Sequence, residues 1–500
     1  MATAVAHSQE TPDYVFFFDI TNPIAAGPTE LPAGKSLHAR WQFWKMATGG
    51  VANVLHQVPY QFHGLYAIGC FFFILNIVLF LFNVVMISCR FRLYPSTFKA
   101  SITHPTESLF VPAWLISIGT ILINITEYGV SDGKTGAWLL STMRILFWVY
   151  CALAVLFSCG IYLVMWSTQT FTIDQMTPVW IFPAYPLLVI GPHAGMLASK
   201  TSGSDALDII IGGFIFQGIG FLVSLMIYAA FIYRLMTQKL PQESLRPAMF
   251  ISIGPSGFTI SGVVSMGQEI VRVVPPDFMG PGLGELAGKV SMIMANWMGL
   301  WLWGLAWWFF IVSVGAHWST VRHGRGKFAM TFYSYVFPNT ALTTATFALG
   351  KALDNTPIRI LGCVMTCLLI CAWLAVFTMM IRAVIVKDIL WPQKQEDRAE
   401  GGWEAHPEES KACDPRRCSS DAPVSEKARH SNGTDGTLDL DKQMEANGRL
   451  TEPPGTGCSL ERGKPQPRDW ARSTTAADRF VDEMARGNRP SRRSDIADMV

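Results

Sequence analysis

The 500-residue chain is half apolar and only 15% charged, with a formal net charge of +2. Apolar runs of about 20 residues or more on that background mark a polytopic helical membrane protein and argue against a soluble enzyme. A balance this close to neutral offers no electrostatic footprint for nucleic acid.

Residues 1–40 contain the aromatic run Tyr14-Val15-Phe16-Phe17-Phe18. No basic stretch precedes it, and it is too short for a signal peptide, so the segment is expected to be a cytosolic lead-in. Residues 41–391 should form the membrane domain, with ten spans at 41–57, 64–89, 108–128, 136–166, 178–199, 207–233, 249–269, 286–318, 328–353 and 358–390. Residues 392–500 are rich in charged residues, Ser, Pro and Gly. They carry too little apolar area to offset ordering entropy and are expected to be a disordered cytosolic tail.

Basic residues fix the expected orientation. Arg90, Arg92 and Lys99 follow the second span, Lys239 and Arg246 the sixth, and Arg322, Arg325 and Lys327 the eighth. The opposite connections hold only Lys134, Lys200, Arg272, Lys351 and Arg359, one or two each. The positive-inside rule then places both termini in the cytosol.

The spans are of two kinds. Even-numbered ones lack proline and are dense in Phe, Leu, Ile and Trp, as in Phe71-Phe72-Phe73 and Trp301-Leu302-Trp303. Odd-numbered ones carry helix breakers: Thr48-Gly49-Gly50 in the first, Pro178, Pro183, Pro186 and Pro192 in the fifth, Gly254-Pro255-Ser256-Gly257 in the seventh, and Pro338 in the ninth. Irregular backbone is tolerated at membrane depth only against protein or water, whereas a regular apolar helix can face lipid. The expected fold is therefore an all-α integral membrane protein of ten transmembrane helices in five hairpins, odd helices forming an inner ring around a central path.

The stretch Ser334-Tyr335-Val336-Phe337-Pro338-Asn339-Thr340 sets an aromatic beside a proline within an apolar span. Pro338 cannot donate to the Ser334 carbonyl, so a kink is expected with Phe337 projecting from it, either as a plug in a pore or packed among neighbouring helices. No Walker motif, HExxH, GxSxG or Cys-x-x-Cys occurs. Catalysis, a cofactor and a metal site are therefore not expected, and the scattered cysteines read as small buried hydrophobes.

Five stretches carry a resemblance: 44–50 (WKMATGG), 91–97 (FRLYPST), 177–183 (TPVWIFP), 253–258 (IGPSGF) and 336–339 (VFPN). In this order and spacing they resemble the signatures of the fungal malic acid transport proteins. These belong to a superfamily with bacterial tellurite-resistance/dicarboxylate proteins, plant slow-type anion channels and fungal sulfite exporters. The resemblance covers roughly residues 41–392. It implies five hairpins about a central anion path, often in a homotrimer, with a phenylalanine obstructing the path at the position of Phe337. It also implies C4-dicarboxylates such as malate as the substrate class, and the expected function is their transport across the plasma membrane, coupled to protons during import.

A carboxylate in a low-dielectric passage needs positive potential, which broken-helix N-termini and exposed amides supply without trapping the ion. Candidate donors are the amides near Gly49, Gly50, Gly254 and Gly257, with the hydroxyls of Thr48, Ser256, Thr259 and Thr340; Pro255, Pro338 and Asn339 complete the candidate path. Phe337 would gate by swinging aside or by narrowing the bore. Charged residues in spans are costly and often functional. Lys45 is read either as a carboxylate attractor facing the path or as a residue snorkelling to the interface. Arg144 is read as pairing with Glu127 or a carbonyl, or as touching substrate, and Glu127 as interfacial or as a proton relay. His193 is either a pH sensor or a hydrogen-bonded structural histidine. Two rivals stand beside dicarboxylate transport: export of sulfite or another small inorganic anion, and a membrane receptor or scaffold signalling through the tail.

Overall fold

A computed structural model of the chain describes residues 43–389 apart from 96–97, 99–100, 103–106, 131–136, 169–171, 242–244, 324–327 and 387–388. The segments expected at 1–40 and 392–500 lie outside the described residues. The chain divides into two units, Met1–Asp414 and Pro415–Val500, and every described residue belongs to the first.

Among the described residues the secondary structure is entirely helical. In chain order the rods are α1 (Phe43–Gln57), α2 (Leu65–Leu93), α3 (Glu107–Gly129), α4 (Ala137–Thr168), α5 (Tyr185–Lys200), α6 (Ser204–Gln238), α7 (Ile253–Val273), α8 (Gly284–His323), α9 (Phe337–Ala352) and α10 (Thr356–Ile385). The even helices run 29 to 40 residues without a break. Absence of proline from their interiors and long apolar runs allow that regularity.

The odd helices are interrupted where the sequence puts its breakers. Three begin with a 3₁₀ segment that switches to α: Pro178–Ala184 before α5, Arg246–Ser252 before α7, and Met330–Tyr335 before α9. In α3 the chain breaks near Pro112 and its last turn, Ile125–Gly129, is π-helical. Pro338 falls in the first turn of α9, where proline's missing donor and fixed φ suit a helix start. The expected mid-span kink is therefore a junction between two helical segments.

The inner ring is present and closed. α1 packs on α3, α3 on α5, α5 on α7, α7 on α9, and α9 back on α1. Each even helix covers one seam of that ring: α2 over α1 and α3, α4 over α3 and α5, α6 over α5 and α7, α8 over α7 and α9, α10 over α9 and α1. Burial follows position. In their most apolar windows α3, α5 and α7 are 72–94% buried, against 17–39% for the even helices. The exposed outer residues, such as Phe71, Trp166, Met226, Trp301 and Leu368, form an apolar belt fit for lipid.

Among the described residues, eight of the ten expected spans are long and apolar enough to cross a membrane. α1 and α9, at 15 and 16 residues, fall short of the roughly 20 that a bilayer core requires. The reason is their enclosure: a helix walled in by others need not match the hydrocarbon thickness by itself, and its broken ends can be satisfied by protein.

Candidate functional site

The three 3₁₀-to-α switches bring the N-termini of α5, α7 and α9 toward one region of the ring, and aromatic side chains fill it. Phe337, the first residue of α9, is fully buried. Its ring lies 6.1 Å from that of Tyr185, the first residue of α5, and 5.5 Å from Phe258 in α7. Because α5 and α9 are second neighbours in the ring, the Phe337–Tyr185 contact crosses its interior. Tyr185 is fixed in turn: its hydroxyl donates to the Ile251 carbonyl and its ring stacks on Phe182, 5.1 Å away.

Some polar groups at the break are bonded locally, while Ser334 Oγ and Asn339 Oδ1 are buried without a hydrogen-bond partner. Asn339 donates from Nδ2 to the Tyr335 carbonyl at 2.8 Å, and the Thr340 hydroxyl donates to Phe337 O at 2.6 Å. Gly50 of α1 backs onto Thr340, where a Cβ would come within 2.6 Å of the hydroxyl oxygen. Gly257 backs onto the Ala341 carbonyl carbon at 2.7 Å, and Gly254 onto the Tyr185 hydroxyl. These three glycines draw α1, α7, α5 and α9 together around the break.

The structure sets several expected path residues apart from this cluster. Thr48 accepts from Trp373 Nε1 of α10 at 3.1 Å. Thr259 accepts from Gln217 Nε2 of α6 at 2.8 Å and donates to the Pro255 carbonyl at 2.7 Å. Ser256 is fully buried one turn beyond Ser252, whose carbonyl takes the Tyr228 hydroxyl of α6. Gly49 faces Asn76 of α2 and Thr120 of α3. Thr48, Thr259 and Gly49 thus each meet a side chain of a covering helix.

Lys45 does not snorkel to an interface: it is fully buried, its ammonium lies 4.4 Å from the centre of the Phe80 ring on α2, and Nζ has no hydrogen-bond partner. On a 3.6-residue period Lys45 and Gly49 lie about 40° apart on one face, about 140° and 100° respectively from Gly50. His193, expected to be hydrogen-bonded if structural, is buried against Phe147 of α4 at 5.5 Å with neither ring nitrogen partnered. Arg144 pairs with Asp205 at 2.6 Å rather than with Glu127. Its sequence distance from Asp205 hid that pair, which α4 and α6 create by flanking α5.

Toward the C-terminal ends of the odd helices the ring opens into a cavity of about 540 Å³. Its walls carry His56 and Gln57 from α1, Lys200 from α5, Lys351 from α9 and Arg359 from α10, with Gln268 and Glu269 from α7. Ser261, Ser265 and Pro192 lie deeper. Arg359 is held by Asp354 at 2.6 Å and by the Gly350 carbonyl at 3.0 Å, and Glu269 by Arg272 at 3.0 Å. Phe347 also lines the cavity, ten residues along α9 from Phe337, so about 15 Å separates the two levels. Sequence reasoning counted these cations as connection charges and missed their convergence. The signal was available only as one basic residue near the end of each of the fifth and ninth spans.

Gln217 was also missed. It is buried in an outer helix that reads as uniformly apolar, accepts from the Gly191 N–H beside Pro192 at 3.0 Å, and donates to Thr259. One amide thus ties the irregular parts of α5 and α7 together.

Residues 36–381 match the family described as voltage-dependent anion channel. The chain is 32% identical to the malic acid transport protein of Schizosaccharomyces pombe over 366 residues, covering 72% of this chain and 82% of that protein. It is 27% identical to a sulfite efflux pump of Arthroderma benhamiae, over 71% of this chain and 92% of the pump. A proline-broken inner ring with a cationic mouth, and a match over most of that domain, lead to one conclusion: this chain belongs to the voltage-dependent anion channel family, as an all-helical, multi-pass membrane protein.

Proposed function

We propose that the chain transports C4-dicarboxylates such as malate across the plasma membrane, coupled to protons, through the interior of the five-helix ring, and that it performs no enzymatic reaction. The observation that carries this reading is the cationic cavity formed by Lys200, Lys351 and Arg359 above a ring closed by aromatic side chains. A dianion entering it exchanges water for fixed positive charge. Past that level, the N-termini of α5, α7 and α9 supply partial positive charge without binding the ion so firmly that it cannot leave. Phe337 is the gate in this reading, with Pro338, Asn339 and Thr340 shaping the turn behind it and Gly50, Gly254, Pro255 and Gly257 setting how closely the ring can pack there. The malic acid transport protein among the relatives supports the substrate class. In this reading both termini lie in the cytosol, as the distribution of basic residues in the connections supports, and the working unit is a homotrimer.

A second reading, export of sulfite or a similar small anion, is favoured by the sulfite efflux pump that aligns over 92% of its length. Flux of labelled malate, succinate and sulfite into vesicles containing the purified chain, with and without a pH gradient, decides between them. Malate and succinate entry that exceeds sulfite entry and grows with an inward proton gradient is expected. Sulfite flux exceeding malate flux at equal concentration would overturn the substrate assignment.

A further inference from the structure

Directly behind the cavity wall lies a buried carboxyl that anion passage as described does not use. Glu127 sits in the π-helical last turn of α3, its side chain withdrawn from solvent. Oε1 accepts from Gln57 Nε2 at 3.2 Å and lies 3.8 Å from His56 Nδ1, while Oε2 is buried with no hydrogen-bond partner. Gln57 is itself bonded to Asn53 Oδ1 at 2.6 Å, so its amide is held in place. Both residues that touch Glu127, His56 and Gln57, line the cavity. A carboxylate with one bare oxygen in a dry wall is costly unless a proton or cation compensates it. Single-turn π segments recur at functional sites because they re-aim one side chain while giving up a regular backbone bond.

Resting on the transport reading above, we propose that His56 and Glu127 form one proton-binding site in the wall of the cavity, linked to anion binding through charge. The two groups titrate together. Without the proton the pair carries −1, with carboxylate and neutral imidazole; with it the pair is neutral overall, whichever group holds the proton. Water in the cavity delivers the proton through His56, whose side chain is 29% exposed, and Glu127 behind it is screened by Gln57. Proton uptake removes one negative charge from beside the anion, so it tightens anion binding, and a bound anion favours the proton by the same factor. One charge about 10 Å away at an effective dielectric near 20 corresponds to a change of roughly tenfold in affinity.

The surrounding groups do not supply the compensating charge at contact distance. From α1, His56 is the titratable neighbour. From α2, Tyr66 approaches Tyr128, its hydroxyl donating to that residue's carbonyl, and Cys70 lies near the same ring. The Tyr128 hydroxyl is committed to the Ala52 carbonyl at 2.6 Å. From α4, Leu139 meets Gly129, and Arg144 is paired with Asp205. From α5, Lys200 acts on His56 through space across the same cavity.

The test compares wild type with Glu127→Gln, which keeps the shape and mimics the protonated state. The ratio of variant to wild-type flux is measured from acid to alkaline pH for malate and separately for sulfite, so that the anion's own titration cancels. The ratio should rise roughly tenfold toward alkaline pH for whichever anion is carried, and Glu127→Asp should restore a pH dependence. A ratio independent of pH overturns the proposal, whereas failure of malate transport alone removes only the substrate reading. A readout without transport is a pH-jump infrared difference spectrum of the purified protein. A difference band of the Glu127 carboxyl or carboxylate stretch, lost in Glu127→Gln and displaced in His56→Gln, is expected whichever group takes the proton, and absence of any such band from wild type overturns the proposal as well.

Discussion

Phe337 shows how one side chain can be legible in sequence and still need the fold to acquire a role. Its neighbour Pro338 announces a break, but the break says nothing of which way the ring points; the contacts to Tyr185 and Phe258 decide that. Phe337→Ala should raise anion flux severalfold in proteoliposomes. Loss of a fully buried phenylalanine should also destabilise the protein by about 3–5 kcal/mol. Phe337→Leu, retaining most of the volume, should sit between the two in both measurements, and unchanged flux in a folded Ala variant would end the gate assignment. Lys45 poses the opposite case. A buried ammonium stacked over Phe80 with no hydrogen-bond partner is a liability, and Lys45→Met, with similar length and no charge, should raise the thermal midpoint in detergent. A lowered midpoint, or malate uptake lost in a folded variant, would show that the charge serves the protein.

At the level of helices, the dominant device is close approach between irregular segments. Gly262 of α7 lies so near α5 that a Cβ would meet the Gly191 carbonyl carbon at 2.6 Å and its Cα at 2.7 Å, both backbone atoms that cannot swing away. Gly262→Ala should therefore cost at least about 1–3 kcal/mol, read as a fall in the thermal midpoint. Gly160 of α4, where an added methyl would meet nothing within 4 Å, is the matched control, and Gly160→Ala should leave the midpoint unchanged or slightly higher. The same logic explains why the odd helices were recognisable. Proline and glycine in a span are tolerated only where protein surrounds them, so composition alone separated ring from cover. It did not reveal that breaks in α5, α7 and α9 would be 3₁₀-to-α junctions, because the residues that complete those junctions, such as Ile251 and Gln217, lie on other elements.

For the molecule as a whole, the asymmetry between a closed aromatic level and an open cationic mouth sets how anions are gathered. Lys351 is exposed at that mouth. Lys351→Gln should reduce malate flux about twofold to threefold at low ionic strength. The deficit should shrink near 1 M salt, where the screening length falls to about 3 Å. A deficit independent of salt would mean that the lysine contacts the anion directly instead of attracting it from a distance.

The sequence by itself determined the class, the number of rods, and which of them are inside, since these follow from where the chain can and cannot tolerate irregular backbone in lipid. It also located the break at Phe337-Pro338, because proline acts on its own backbone within four residues. Only the tertiary structure decided which side chains meet. Arg144 with Asp205, Lys45 with Phe80, Gln217 with Gly191, and the cations of α5, α9 and α10 around one cavity are all set by how five hairpins close into a ring. Helical periodicity fixes the face on which a residue lies, but the partner opposite that face comes from residues tens to hundreds of positions away, and no local pattern encodes it.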